Sequence, residues 1–175
     1  MVIVLIGPSG CGKTIVGALL AKRLRWLFFD ADDFHPAANV EKMRNGIPLT
    51  DEDRQPWLER LRDEINSCLL QERDAVLACS ALKKNYRQTL GIDQVSVKSV
   101  YLKGSCELIK GRMEKRRHQY MNNALLKSQI ETFEEPEGGL TADISPAPEK
   151  IVQIIIDSMG LSSPSPGDLN NLTGR

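Results

Sequence analysis

Neither sign of charge prevails in this 175-residue chain: 23 lysines and arginines meet 23 aspartates and glutamates, for a formal net charge of zero. A neutral chain sets up no overall field, so general attraction to nucleic acid or to an anionic membrane is not expected, although a local basic cleft stays open. The four cysteines, Cys11, Cys68, Cys79 and Cys106, include no CxxC pair, and no histidine stands near them at metal-ligand spacing. They read as reduced thiols of a cytoplasmic protein. No basic segment precedes the first apolar run, which ends at Gly7, far short of a secretory leader or a membrane span. Internal repeats are missing as well. With 41% hydrophobic and 26% charged residues the chain reads as globular, and its length suits about one domain.

The informative features begin at the N-terminus. Val2 to Ile6 is an unbroken aliphatic run, the pattern of a strand covered on both faces in a parallel sheet. "GPSGCGKT", Gly7 to Thr14, follows directly and matches G-x-x-x-x-G-K-[ST] in full. Val16, Leu19, Leu20 and Leu24 then recur at helical spacing to about Arg25. A strand before and a helix after are the context in which such a loop binds phosphate. Its glycines permit dihedrals that turn successive N–H groups inward at the positive end of the helix. Lys13 adds a charge for the β and γ phosphates, and the Thr14 hydroxyl is a Mg²⁺ ligand. The whole segment, Gly7, Pro8, Ser9, Gly10, Cys11, Gly12, Lys13 and Thr14, is therefore expected to hold the phosphates of a nucleoside triphosphate. Cys11 admits two readings: a thiol made reactive by the helix terminus and Lys13, or a small buried filler.

The rest of the chain alternates strands with helices. "WLFFDADDFH" predicts a second strand ending in Asp30, Asp32 and Asp33, followed by a short helix over Ala38 to Asn45 closed by Gly46. Thr50 and the acidic run Asp51 to Asp53 suit the start of a long helix, with Pro56 at a kink or in the first turn and a buried stripe through Trp57, Leu61, Ile65 and Leu69. Trp26 and Trp57 read as packing residues. Further strands are expected at Ala75–Ser80, Val97–Leu102 and Leu140–Ile144, and helices at Leu82–Leu90, Ser105–Arg116, Asn123–Phe133 and Pro148–Met159. This order predicts a three-layer α/β fold: a parallel sheet of about five strands, helices on both faces, and ligands at the carboxyl ends of the strands. Residues 1–161 are expected to form the domain, and the Ser-, Pro-, Gly- and Asn-rich stretch 162–175 a disordered tail.

Three uses of a bound triphosphate compete: small-molecule kinase, GTPase-like switch, and mechanical ATPase. The chain has no Asn-Lys-x-Asp guanine reader, and "AVLACS" ends in Cys79 and Ser80 where a mechanical ATPase carries a strand-end acid. The carboxylates follow the second strand instead. That placement sets Asp30 and Asp32 beside the loop, where they can meet Mg²⁺ and an acceptor hydroxyl.

"DADDFHPAANVEKMRNGIPLTDEDRQPWL", with "ACSALKKNYRQTL", "YLKG" and "LLKSQIETFEEP", closely resembles the gluconokinase family of carbohydrate kinases, from Val2 to about Met159. The resemblance implies a fold similar to that of shikimate and nucleoside monophosphate kinases, with a helical lid at about residues 112–138. It implies ATP and Mg²⁺ as cofactors and D-gluconate as the small-molecule partner, phosphorylated on its 6-hydroxyl for the pentose phosphate or Entner–Doudoroff routes. Another small hydroxy acid such as shikimate is the alternative acceptor. A homodimer is also suggested by the resemblance.

By the same resemblance Lys13 and Asp32 are the catalytic candidates, Asp32 orienting and deprotonating the acceptor hydroxyl, while Thr14 and Asp30 hold the metal. Asp33 reads as a solvated or capping acid. His35, in a turn before Pro36, is either a substrate contact or structural. An acceptor carboxylate calls for a cationic partner, for which Arg54, Lys83 and Arg87 are candidates, each also readable as a surface charge. Arg112 and Arg116, one helical turn apart, face adenine and phosphates in kinases of this type; the plainer reading is a basic helix end. Gly91 stands where family members often carry Arg, and His118-Gln119 where Gly-His is frequent.

Overall fold

Every residue of β1 (Val2–Ile6) is buried, which requires cover on both faces. A computed structural model describes residues 1–92, 95–115 and 123–162 and places β1 at the centre of the sheet. It pairs in parallel with β3 (Ala75–Ala78) on one side and β4 (Val97–Lys103) on the other. β2 (Leu27–Asp30) adds beyond β3 and β5 (Leu140–Asp143) beyond β4, giving the all-parallel order β2-β3-β1-β4-β5. Strand side chains alternate, so β1 feeds two cores: Ile3 and Leu5 face one, Val2, Val4 and Ile6 the other.

Helices cover both cores. α1 (Lys13–Leu24) contributes Val16, Leu20 and Leu24 to the first, beside Ile151 and Ile155 of α7 (Pro148–Ser158). α5 (Cys106–Lys115) and α6 (Asn123–Thr132) add Ile109, Met113 and Leu126 there. The second core takes Trp57, Leu58, Leu61 and Ile65 from α3 (Asp51–Leu70) and Tyr86 from α4 (Lys84–Thr89). α2 (Ala37–Arg44) is short, and its buried Asn39 donates 2.7 Å to the Asp53 carbonyl, tying it to the start of α3. The three-layer α/β arrangement expected from the sequence is the one observed.

Element ends differ from the sequence pattern where the backbone turns sharply. β3 stops at Ala78, and α4 begins only at Lys84, because Ala81 lies at φ 40° and Lys83 is extended. α3 runs through Pro56 without interruption. The bond a proline cannot donate would go to the Glu52 carbonyl, on an exposed residue that water can serve. A reciprocal capping box between Thr50 and Asp53 starts that helix. Gly91, at φ 69°, ends α4 in a conformation that favours glycine, with Arg62 across it donating 2.9 Å to the Leu90 carbonyl. Arg116, the His118-Gln119 pair and residues 163–175 of the expected tail lie outside the described residues. Among the described residues no helix is long and apolar enough to cross a membrane.

Candidate active site

The chain leaves β1 at the carboxyl edge of the sheet through Gly7 (φ 144°), Gly10 (φ 85°) and Gly12 (φ 102°). A side chain at Gly10 would strike Met113, its Cβ 2.7 Å from Cγ, so the loop is packed against α5 as well as bent. Gly12 caps α1 without a side-chain bond, and the first turn of α1 carries no acid. The first-turn N–H groups of α1 are thus left to an anion. Lys13 Nζ donates to the Gly7 carbonyl at 2.8 Å and the Pro8 carbonyl at 3.1 Å, spanning the loop it serves. Cys11 is fully buried in the first core. That burial supports the filler reading of this thiol over the reactive one.

β2 delivers its acids to the same edge. Asp30 Oδ2 accepts 2.7 Å from the Thr14 hydroxyl, and Oδ1 accepts 3.1 Å from the Asp32 N–H, so Asp30 caps a 3-10 turn over Ala31–Phe34. Two bonds from α3 pin that turn: Trp57 Nε1 to the Ala31 carbonyl at 2.7 Å and Arg60 to the Phe34 carbonyl at 3.0 Å. Trp57 is the packing residue expected, but it also builds the site. The His35 ring stacks on it, centroids 4.4 Å apart and planes within 9°. Burial, and then the neighbouring Arg54 guanidinium, lower the His35 pKa to about 4, so the ring is neutral at pH 7. Its Nδ1 is buried with no hydrogen-bond partner among the described residues.

Loop and carboxylates share one cavity of about 340 Å³, a size suited to a small molecule. Lys13, Thr14 and Asp30 line it at one end, and Asp32, Asp33, His35, Arg54 and Trp57 continue the lining. Ser128 and Gln129 of α6 complete it. Of the three cationic candidates for an acceptor carboxylate, the cavity brings in Arg54. Its Nη1 donates 2.6 Å to the Leu49 carbonyl and 3.4 Å to the Tyr86 hydroxyl. Lys83 lies outside the lining and donates 2.7 Å to each oxygen of Asp51, which also accepts from Tyr86 and is held below the usual carboxylate range by these two bonds. Arg87 is buried, also outside the lining, donating to the Ala81 carbonyl at 3.0 Å and the Leu82 carbonyl at 3.3 Å, where the left-handed bend after β3 needs bracing. Arg112 ties the loop to the end of β5, with bonds of 3.4 Å to the Cys11 carbonyl and 2.6 Å to the Ile144 carbonyl.

Beyond β3 the lining shows Ser80, while burial pushes the Cys79 thiol up to about 12 and keeps it protonated. Ser128 and Gln129 were not singled out from sequence. Polar residues on an amphipathic helix carry no functional signal of their own, and only their place in "LLKSQIETFEEP" marks them.

Loop and acids line one cavity of small-molecule size, which is the layout of the P-loop kinases of small molecules. The sequence pattern of the shikimate kinase family matches residues 9–159. A crystal structure of a sugar kinase from Janibacter superposes with a TM-score of 0.84 at 37% identity, covering 93% of this chain and 95% of that one. The chain is 42% identical over 172 residues to a probable gluconokinase of Xenopus tropicalis, 90% of this chain and 86% of that one. It is 46% identical over 134 residues to the thermosensitive gluconokinase of Escherichia coli, covering 77% and 72%. The chain belongs to the gluconokinase family.

Proposed function

We propose that the protein transfers the γ-phosphoryl group of ATP to the 6-hydroxyl of D-gluconate, giving 6-phospho-D-gluconate in the cytoplasm. The observation that carries this reading is that one cavity joins Lys13, Thr14 and Asp30 to Asp32, His35 and Arg54. Residues 1–161 act as one kinase domain, with α6 as its roof.

The donor end fits a hard divalent ion. The Thr14 hydroxyl and the Asp30 carboxylate are oxygen donors 2.7 Å apart beside the loop. Among the described residues no cluster of three acidic, histidine or cysteine side chains could hold a metal by itself, so phosphate and water oxygens would complete the Mg²⁺ shell. When bound, the ion neutralises charge on the transferring phosphates. Lys13, already at the loop's mouth, exchanges its carbonyl partners for phosphate oxygens. Asp32 accepts the proton of the acceptor hydroxyl and fixes its direction. The neutral His35 ring on Trp57 forms an amphipathic wall for the polyol chain, and Arg54 is the partner for the carboxylate at its far end.

The match to the shikimate kinase pattern makes shikimate the second acceptor to test, since it too couples hydroxyls to a carboxylate. Release of ADP should be measured with MgATP and gluconate, shikimate, glucose, or no acceptor. Gluconate should dominate, and glucose, which leaves Arg54 without an anion, should be poor. Equal turnover of glucose or of shikimate would overturn the assignment.

A further inference from the structure

α6 has two sides with different duties. Leu126 and Ile130 pack on the core shared by α1, α5 and α7, whereas Ser128 and Gln129 line the active cavity. Its far end is held where Glu134 accepts 2.6 Å from the Lys84 N–H and donates its own N–H 2.8 Å to the Leu82 carbonyl. The helix is thereby seated over the cavity, and a hydrogen bond links it to the phosphate loop. Gln129 Oε1 accepts from the Ser9 N–H at 2.8 Å. A backbone N–H can only donate, so the amide oxygen faces the loop and the NH₂ is left for another partner. Ser9 is the third residue of the phosphate-binding segment, and backbone N–H groups of such a loop are the groups that cradle a phosphate.

We propose that Gln129 is a positioning residue that couples the nucleotide and acceptor halves of the site. Its amide oxygen and the phosphates of the nucleotide compete for the Ser9 N–H. Once the phosphates take that N–H, the freed carboxamide, still on the cavity wall beside Ser128, engages a hydroxyl of the acceptor. Nucleotide binding therefore prepares the acceptor site through one exchanged hydrogen bond, and the acceptor in turn favours the exchanged state, since coupling is reciprocal. This inference rests on the kinase reading above for its acceptor arm, whereas its nucleotide arm needs no acceptor.

The test uses Gln129→Met, which keeps the length of the side chain but loses the acceptor oxygen, and Gln129→Glu, which keeps an acceptor and adds negative charge. Calorimetric binding of a β,γ-imido analogue of ATP with Mg²⁺ is measured alone and with D-gluconate, alongside KM for gluconate. One hydrogen bond of ordinary worth corresponds to a change of roughly two- to tenfold. Gln129→Met should bind the analogue tighter than wild type by about that factor, raise the gluconate KM by a similar factor, and lose the tightening of the analogue by gluconate that is expected of wild type. Gln129→Glu should bind the analogue more weakly than wild type. A Gln129→Met protein whose analogue affinity is unchanged or reduced overturns the competition, and one that keeps wild-type synergy overturns the coupling. If wild type does not turn over gluconate, the functional assignment fails, while the analogue measurement without acceptor still decides whether Gln129 competes for the Ser9 N–H.

Discussion

The neutral, stacked His35 makes the stability of this protein depend on pH in a calculable way. Its pKa is about 4 in the folded chain and about 6.5 when unfolded, so between those values the unfolded state binds a proton that the folded state refuses. The contribution of the neutral ring is fully present above the unfolded value and is lost as pH falls toward the folded one. At pH 5 the unfolded histidine is almost wholly protonated and the folded one almost wholly neutral, a difference of about 1.5 pH units in binding, or about 2 kcal/mol; at pH 7.5 it is close to zero. His35→Phe keeps a flat ring on Trp57 and cannot titrate. Urea unfolding followed by circular dichroism at pH 7.5 and pH 5 should therefore show wild type losing about 2 kcal/mol more than His35→Phe over that interval. Carboxylates such as Asp51 and Asp53 titrate in both proteins and cancel in the difference. Equal losses in the two proteins would refute the burial of a neutral histidine beside Arg54.

Asp32→Asn keeps the size of the side chain and removes the proposed proton acceptor, so turnover should fall by roughly 10² or more while calorimetry finds ATP-analogue binding largely retained. Arg54→Met should raise the KM for gluconate by about 10- to 100-fold, the worth of a charge-assisted bond, with a smaller effect on the KM for ATP. Gly91→Ala should lower unfolding free energy by about 1–2 kcal/mol without changing either KM, because a Cβ there meets a left-handed φ of 69° and lies 1.8 Å from Arg62 Nη1.

The donor end of this site was legible in the sequence because its chemistry is local. Glycines at fixed offsets between an aliphatic run and a helix leave few structures open, and the acids after β2 need only one strand to reach the loop. The acceptor end depends on tertiary neighbours. Arg54, Lys83 and Arg87 look alike as sequence; Asp51 engages the second and two backbone carbonyls the third, while the first, held by the Leu49 carbonyl, lines the cavity. Trp57 read as packing because burial hides the bond and the ring stack through which it shapes the cavity. The late start of α4 follows from the positive φ of Ala81, a residue type that gives no warning of it. Gly91, a departure from the family pattern by sequence, is accounted for by the turn that ends α4.

In the proposed reaction one cavity brings the terminal hydroxyl of gluconate to Asp32 and the phosphate loop while Arg54 holds the carboxylate. Phosphorus and proton NMR of the product formed from MgATP and D-gluconate tests it most directly, by showing which carbon bears the new phosphate. A single phosphomonoester coupled to the protons on C6 is expected. A phosphate on any other oxygen, or inorganic phosphate released with no ester formed, would contradict it.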